Sequence, residues 1–312
     1  MRLIAPDYYE QFRCIAGACR HSCCIGWEID IDEDTLDYYM SLEGEMGDRL
    51  REHINSEDDP AHFILGDQER CPFLNKDNLC DLIIAHGEGV LCQICDDHPR
   101  FYNEYENATE VGLGLCCEAA ARLILTRTAP VSLVTLSDDG GNEAPNQQEL
   151  QLMVERGMLF LTLQRREWSI EKRLEEILKL SDISLPAHSY GRWAAFYQSL
   201  EQLDSDWTKR LEQLKSTPLT LPGSEWDVAF EQLTHYFLYR HIAGRLGKEE
   251  ICLRAAFGVL SVLMIRALCG VIQSTTGTLT MDDVVELARM YSSEIEYSDK
   301  NVDALLKEIA KG

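Results

Sequence analysis

The sequence predicts a mainly α-helical protein: an N-terminal cysteine-rich, metal-binding module with little regular strand, followed by an all-helical C-terminal domain. Three observations lead there. Of the 12 cysteines, all but Cys252 and Cys269 fall before residue 118. The stretch Asp138-Asp139-Gly140-Gly141-Asn142-Glu143-Ala144-Pro145 is turn chemistry with no apolar period. Beyond it, apolar residues recur at helical spacing almost to the end. The expected boundaries are 1–136 for the module, 137–146 for a linker and 147–312 for the helical domain.

In the first region, the acidic run Asp30 to Asp34 precedes a short helix through Tyr38, Tyr39 and Leu42. Asp34-Thr35 is its expected cap, with acidic residues near the positive end of the helix dipole. Asp58-Asp59-Pro60 marks a turn. The best strand signals are Phe63-Ile64-Leu65 and Ser132 to Leu136, both short. Glu118 to Thr126 is built from good helix formers. In the second region, Gln147 to Trp168 carries Leu150, Met153, Val154, Met158 and Leu161 at helical spacing. Further helices are expected at 170–181, 190–204, 206–215, 226–246, 249–274, 281–296 and 299–310. Pro186, Pro218 and Pro222 with Gly223 punctuate them. The apolar run Ala255 to Ile265, bounded by Arg254 and Arg266, is shorter than a bilayer requires and reads as a buried helix, so no transmembrane segment is expected.

At 312 residues and 45% hydrophobic, the chain has enough apolar surface for a substantial core. Lys and Arg number 29 against 53 Asp and Glu, a net charge of -24. That balance excludes nucleic acid as a partner, since phosphate contacts need clustered basic residues. The first sixty residues hold 15 acidic and 5 basic side chains, a field that suits approach of a lysine-bearing protein. The opening MRLIAPDYYEQF has no apolar core of a secretory signal, so a cytoplasmic location is expected. There disulfides rarely persist, and dense cysteine more often binds metal. Composition leaves oligomerisation open.

The cysteines form four groups: Cys14-x4-Cys19-x3-Cys23-Cys24, Cys71-Pro-Phe-Leu-x5-Cys80, Cys92-x2-Cys95 ahead of Pro99-Arg100, and Cys116-Cys117. Short spacings let one loop present two sulfurs to one centre, and soft sulfur ligands select zinc, copper(I) or iron–sulfur clusters. Cys-x3-Cys-x2-Cys is not completed, because position 26 is Gly26. Cys252 and Cys269 lie on apolar helical stretches and read as core residues. His21 and His98 beside the cysteines read as solvent-facing, with completion of a metal shell as the alternative, and His235 and His241 read as satisfied core groups. Tyr8, Tyr9, Trp27, Tyr102 and Tyr105 read as core or rim aromatics. Arg100 has a planar fork that suits cluster sulfurs, a cofactor carboxylate or a structural ion pair. A dinucleotide-type glycine loop after a strand is absent, so no ordinary Rossmann-type cofactor site is expected.

These groups and their surroundings resemble the flagellin lysine-N-methylase (FliB-type) family and the related CxxCxxCC-type zinc- or iron-chelating proteins. The matching stretches are YYEQFRCIAGACRHSCCIGWEIDID, CPFLNKDNLCDLI, GEGVLCQICDDHPRFYNEYEN and EVGLGLCCEAAARLIL, with weaker similarity in RWAAFYQSLEQLDSDW and FEQLTHYFLYRHIAG. The resemblance implies methyl transfer from S-adenosylmethionine to lysines of flagellin, with a four-iron four-sulfur cluster on the cysteine motifs. Residue by residue it implies ligands at Cys14, Cys19, Cys23, Cys24, Cys71, Cys80 and Cys95, and Cys117 in preference to Cys116. Cys92 joins Cys95 through the Cys-x2-Cys spacing, and Arg100 is the expected cofactor contact. Zinc is the alternative metal, and a non-catalytic metal-binding protein with a helical interaction domain is the alternative function. No catalytic residue is assigned by the sequence.

Overall fold

The computed structural model describes residues 1–140, 145–244 and 246–312; positions 141–144 of the expected linker lie outside the described residues. In chain order the first elements are β1 (Arg2–Pro6), β2 (Asp30–Ile31), α1 (Glu33–Ser41), α2 (Gly44–His53), β3 (Ile54–Asn55) and β4 (Ala61–Phe63). Next come α3 (Asp81–His86), α4 (Gln93–Asp97), β5 (Arg100–Glu104), β6 (Ala108–Leu113), α5 (Glu118–Leu125) and β7 (Leu133–Asp138). Helices then run to the end: α6 (Gln147–Leu163), α7 (Ile170–Leu180), α8 (Tyr190–Gln198), α9 (Ser205–Ser216), α10 (Asp227–His241), α11 (Lys248–Thr276), α12 (Met281–Tyr291) and α13 (Asp299–Ile309). The fold is mainly α, as expected. The chain divides into two compact units, Met1–Phe12 with Phe101–Gly312, and Arg13–Arg100.

Regular strand exceeds what the sequence suggests. The signal Ser132 to Leu136 corresponds to β7, whereas Phe63-Ile64-Leu65 overlaps β4 only at Phe63, and both strands join sheets whose other strands the local sequence does not announce. One sheet has the order β5-β6-β1-β7. β1 runs parallel to β6, with Arg2 opposite Ala108 and Ile4 opposite Glu110. It runs antiparallel to β7, with Arg2 opposite Asp138 and Pro6 opposite Leu133. Gly112 in β6 lies under the Phe101 ring, where any Cβ would overlap it. The other sheet, β2-β4-β3, is a small antiparallel set within Arg13–Arg100.

Helix starts follow side-chain chemistry. Ser169, Ser189, Thr280 and Ser298 each accept a backbone N–H at the head of α7, α8, α12 and α13. Asn146 and Glu149 form a reciprocal capping box on α6, and the buried Glu149 also accepts the Glu106 N–H at 2.8 Å. α1 begins two residues earlier than expected: Asp32, not Asp34, is its cap, accepting from Thr35 N at 3.0 Å.

The core of the larger unit is built on α10 and α11. α11, at 29 residues, is the one helix among the described residues long and apolar enough to cross a membrane, longer than the apolar run suggests. Its most apolar stretch is 94% buried in the structure, which marks a core helix. α10 is buried nearly all round yet carries Glu231, Gln232, Thr234, His235, Tyr236, Tyr239 and His241. Two buried ion-pair groups hold neighbouring elements. Glu231 takes Arg173 at 2.6 Å and Arg166 at 2.8 Å, and Glu110 of β6 takes Arg156 of α6 through two hydrogen bonds, one of 2.8 Å.

Glu110 and Arg156 are 2% and 3% exposed, so removing one partner leaves an uncompensated charge in the core. Glu110→Ala should therefore cost about 3–5 kcal/mol of unfolding free energy in a denaturant titration. A loss below about 1 kcal/mol, the scale of a surface pair, would show that the pair is solvated.

Candidate functional site

Within Arg13–Arg100, backbone pairing gathers cysteines from three of the four groups. Cys71 N–H donates to the Cys24 carbonyl at 2.8 Å. Leu74 and Cys80 form a bridge, while Asp81 N–H donates to Phe73 O at 2.8 Å. Arg49 on α2 grips Asp81 at 2.7 Å and the Pro72 carbonyl, fixing both ends of the Cys71–Cys80 loop. Cys92 caps α4 and Cys95 lies in its first turn. Asp32 reaches both α1 and α4, since its second oxygen accepts the Gln93 N–H at 2.8 Å.

The result is one apolar core containing buried Cys71 and Cys92, with Cys24, Cys80 and Cys95 half-buried against it. The thiols act on one another. A hydrogen bond with Cys23, opposed by burial and helped by Ser22 and Arg70, lowers Cys24 to about 7. Burial pushes Cys71 up to about 12, with Cys24, Cys80 and Cys92 adding to it. The Cys95 thiol donates a hydrogen bond to the Cys92 sulfur, favouring thiolate at Cys92 and keeping the proton on Cys95. Cys14 and Cys19 flank the exposed 3-10 turn Ala16–Ala18; Cys14 Sγ accepts Ala16 N–H at 3.3 Å and Cys19 Sγ donates to His21 O at 3.2 Å. Cys23 accepts the Trp27 indole N–H on its carbonyl at 2.6 Å. Cys117 belongs to the other unit, as the N-cap residue of α5. Arg100 Nη1 donates to the Asp96 carbonyl at 2.8 Å.

As placed, no three His, Cys, Asp or Glu side chains among the described residues are grouped tightly enough to hold a single ion. No disulfide joins the described cysteines. The donor chemistry nonetheless fits a soft-metal centre: five thiols line one apolar core, each within electrostatic reach of others. His98 is half-buried rather than solvent-facing, and burial with Arg100 lowers it to about 4, so it is neutral. His21 is exposed, as expected. Tyr8 and Tyr105 are core, while Tyr102 is 47% exposed.

A second constellation, in the larger unit, is one the sequence did not reveal. α12 runs into a π-helical turn, Ser292–Glu296, a form that recurs at functional sites. Its last residue, Glu296, is fully buried and meets the end of α10. The Tyr236 hydroxyl donates to its oxygens at 3.0 and 3.1 Å, His241 Nε2 lies 2.7 Å away and Arg240 Nε 3.4 Å away. Burial raises the Glu296 carboxyl, but the Arg240 guanidinium and His241 outweigh it, holding it at about 2. Burial holds His241 neutral. Arg240 sits between the Phe101 and Tyr297 rings at 5.0 and 4.9 Å, and Cys116 Sγ donates to Tyr297 OH at 3.0 Å. His241, Arg240 and Glu296 line a pocket of about 420 Å³. The signal for it lay in Arg240-His241, two polar residues closing an aromatic helix that had to be buried.

Fold and site together define a mainly helical protein with a thiol-lined core in one unit and a charged pocket in the other. Residues 142–312, more than half the chain, match the family model for the FliB lysine N-methylase C-terminal domain. The chain therefore belongs to the FliB lysine N-methylase family. It is 28% identical to the lysine-N-methylase of Salmonella typhimurium over 151 residues, 45% of this chain and 37% of that protein. It is equally similar to the lysine-N-methylase of Salmonella choleraesuis, again over 37% of that protein's length. With the flagellar biosynthetic protein FliU of Salmonella muenchen it shares 27% identity over 129 residues, 38% of this chain and 75% of that one. The chain thus matches little more than a third of the length of the two lysine-N-methylases. No solved structure matches it.

Glu296 gives the larger unit a specific acid sensitivity. Its folded value near 2 lies below the ordinary 4.5, so its stabilisation is complete above pH 4.5 and lost as pH falls toward 2. That is about 3 kcal/mol across the window. Glu296→Gln should be less stable than the wild type at pH 6, with the gap narrowing between pH 4.5 and 2 in urea titrations. Parallel stability curves would show that Glu296 is not the linked group.

Proposed function

We propose that this chain is a protein lysine N-methyltransferase that takes its methyl group from S-adenosylmethionine and acts on flagellin in the cytoplasm. The observation that carries the reading is the coincidence of the family-matched segment with the buried Glu296–His241 pair and its pocket. The names of the relatives, lysine-N-methylase and a flagellar biosynthetic protein, support the substrate class.

A lysine side chain is an ammonium at neutral pH and has no lone pair to attack with. It must lose a proton where it meets the methyl group, so a neutral base within the site is required. His241 is neutral, and with Nε2–H donated to Glu296 its Nδ1 carries the lone pair. Glu296 fixes that tautomer and stabilises the imidazolium that forms, the role the aspartate plays behind the histidine of a Ser-His-Asp triad. The amine nitrogen then bonds to the methyl carbon as the carbon–sulfur bond breaks and its electron pair stays on sulfur. The proton ends on His241, and a neutral thioether leaves.

The thiols of Cys24, Cys71, Cys80, Cys92 and Cys95 are the pool from which we draw the four protein ligands of a four-iron four-sulfur cluster. Bound there, the cluster would supply one-electron capacity and a covalent tie among loops that share a small core. Zinc on the same thiols would supply the tie alone. Cys14, Cys19, Cys23 and Cys117 are the remaining ligand candidates, and Arg100 the candidate cofactor contact.

Two experiments test these assignments. Anaerobically purified protein, S-adenosylmethionine and flagellin should yield methyl-lysine by mass spectrometry, and His241→Ala should slow it by about 10²–10⁴-fold. Absence of methyl-lysine with wild-type protein would overturn the methylase reading. Separately, Cys24→Ser and Cys95→Ser should each lower the bound metal and the stability of Arg13–Arg100, while Cys252→Ser changes neither. Unchanged iron or zinc content in both cysteine variants would remove those residues from the centre.

A further inference from the structure

The pocket beside Glu296 has more charge than proton transfer requires, and the surplus has a pattern. Arg240 and Glu296 neutralise each other, and His241 is uncharged. Three charged lining residues are left: Arg254 of α11, with Asp299 and Asp303 of α13. Among the described residues none of the three makes an ion pair or a side-chain hydrogen bond, although α11 and α13 pack against each other. Arg254 is half-buried and the two aspartates are exposed. Asn103 lines the same space, and its Nδ2 is buried without an acceptor among the described residues. One guanidinium and one amide donor therefore await an acceptor, and two carboxylates await cations, an excess of one negative charge.

That pattern selects among ligands. A phosphate-bearing molecule would meet two like charges for its one guanidinium. A lysine side chain alone would leave Arg254 and Asn103 without partners. An α-amino acid head supplies a carboxylate and an ammonium, and a sulfonium beside it supplies the second cation, for a net charge of plus one. We infer that the Arg254–Asp299–Asp303 pocket holds the amino-acid end of the sulfonium methyl donor, with Arg254 on its carboxylate and the two aspartates on its cations. This rests on the reading of the chain as a methylase that uses S-adenosylmethionine. The pocket's volume of about 420 Å³ is in the range of small-molecule sites. It also places the donor beside His241, where the proton must go.

Half-burial makes the Arg254 contact the stronger one, since exposed aspartates interact through water. The test uses anaerobically purified full-length protein and isothermal titration with three probes: S-adenosylmethionine, S-adenosylhomocysteine and 5′-methylthioadenosine, which lacks the amino-acid head. S-adenosylmethionine should bind more tightly than the neutral thioether S-adenosylhomocysteine. Arg254→Ala should weaken both by about 10- to 100-fold and leave 5′-methylthioadenosine unchanged, with Arg254→Lys restoring part of the loss. Asp303→Asn should reduce the preference for S-adenosylmethionine over S-adenosylhomocysteine. Wild-type affinity in Arg254→Ala and Asp303→Asn, or no binding by the wild type, would overturn the assignment. Methylation of flagellin is scored separately. If the variants weaken donor binding but the wild type methylates nothing, the pocket stands and the methylase reading falls. If the wild type methylates while both variants bind normally, the reverse holds.

Discussion

A helix buried nearly all round carries polar side chains at a large cost unless they find partners. α10 is that helix, and its partners organise the larger unit. Glu231 draws in Arg166 and Arg173 at either side of the α6–α7 junction. Tyr239 donates to the Val111 carbonyl of β6, which ties the sheet to the helical core. His235 stacks on Phe160 at 4.2 Å, and Gln232 donates to the Ala129 carbonyl at 2.8 Å. At its last turn Tyr236, Arg240 and His241 converge on Glu296. Burial of α10 supplies the hydrophobic stabilisation, and the polar partners dictate which element lies where. A purely apolar α10 would pack as well but would not specify these neighbours.

Arg13–Arg100 works under the opposite limitation, too little apolar material. Its core holds eleven buried residues, two of them cysteines. A unit with so small a core usually needs a covalent or metal tie. Its polar fastenings, Arg49 to Asp81 and Asp32 to both α1 and α4, converge on the loops that bear Cys71, Cys80, Cys92 and Cys95. The thiols are thus held by loop geometry as well as by burial. Buried thiols that raise one another's proton affinity are poor neighbours without a cation, because each ionised sulfur penalises the next. A cation removes that penalty, which is the physical content of coupling between metal binding and folding.

The helices were legible because their ends are written locally. The expected starts at 170, 190, 281 and 299 coincide with those observed, each one residue after a Ser or Thr that caps the helix: Ser169, Ser189, Thr280 and Ser298. Where tertiary geometry intervenes the ends move: α10 stops at His241, ahead of Gly244 at φ +78°, rather than running to 246. The β1–β6 pairing was not legible, since its partners lie a hundred residues apart and β1 carries no alternation of its own. Thiol grouping was legible in part: spacing marked Cys92 with Cys95, but not which loops share a core. Glu296 was hidden altogether. In Ser292-Ser293-Glu294-Ile295-Glu296 the two acids look like the solvated face of one more helical turn, and only the positions of α9 and α10 bury them.

Those two glutamates show how structure separates fastening from function. Glu294 is also buried, but its oxygens accept the Leu203 and Asp204 N–H groups at 3.0 and 2.7 Å, closing the start of α9. Its carboxylate has an architectural set of partners, both of them backbone N–H groups. Glu296, two residues on, receives a phenol, a guanidinium and an imidazole, and borders open space. One guanidinium would have satisfied its charge. Adding a neutral histidine at 2.7 Å contributes little to that balance while orienting a titratable ring at the pocket wall. A π turn is an unfavourable way to end a helix. Here it sets both carboxylates at once, Glu294 against α9 and Glu296 against α10, so one turn serves the fold and the site together.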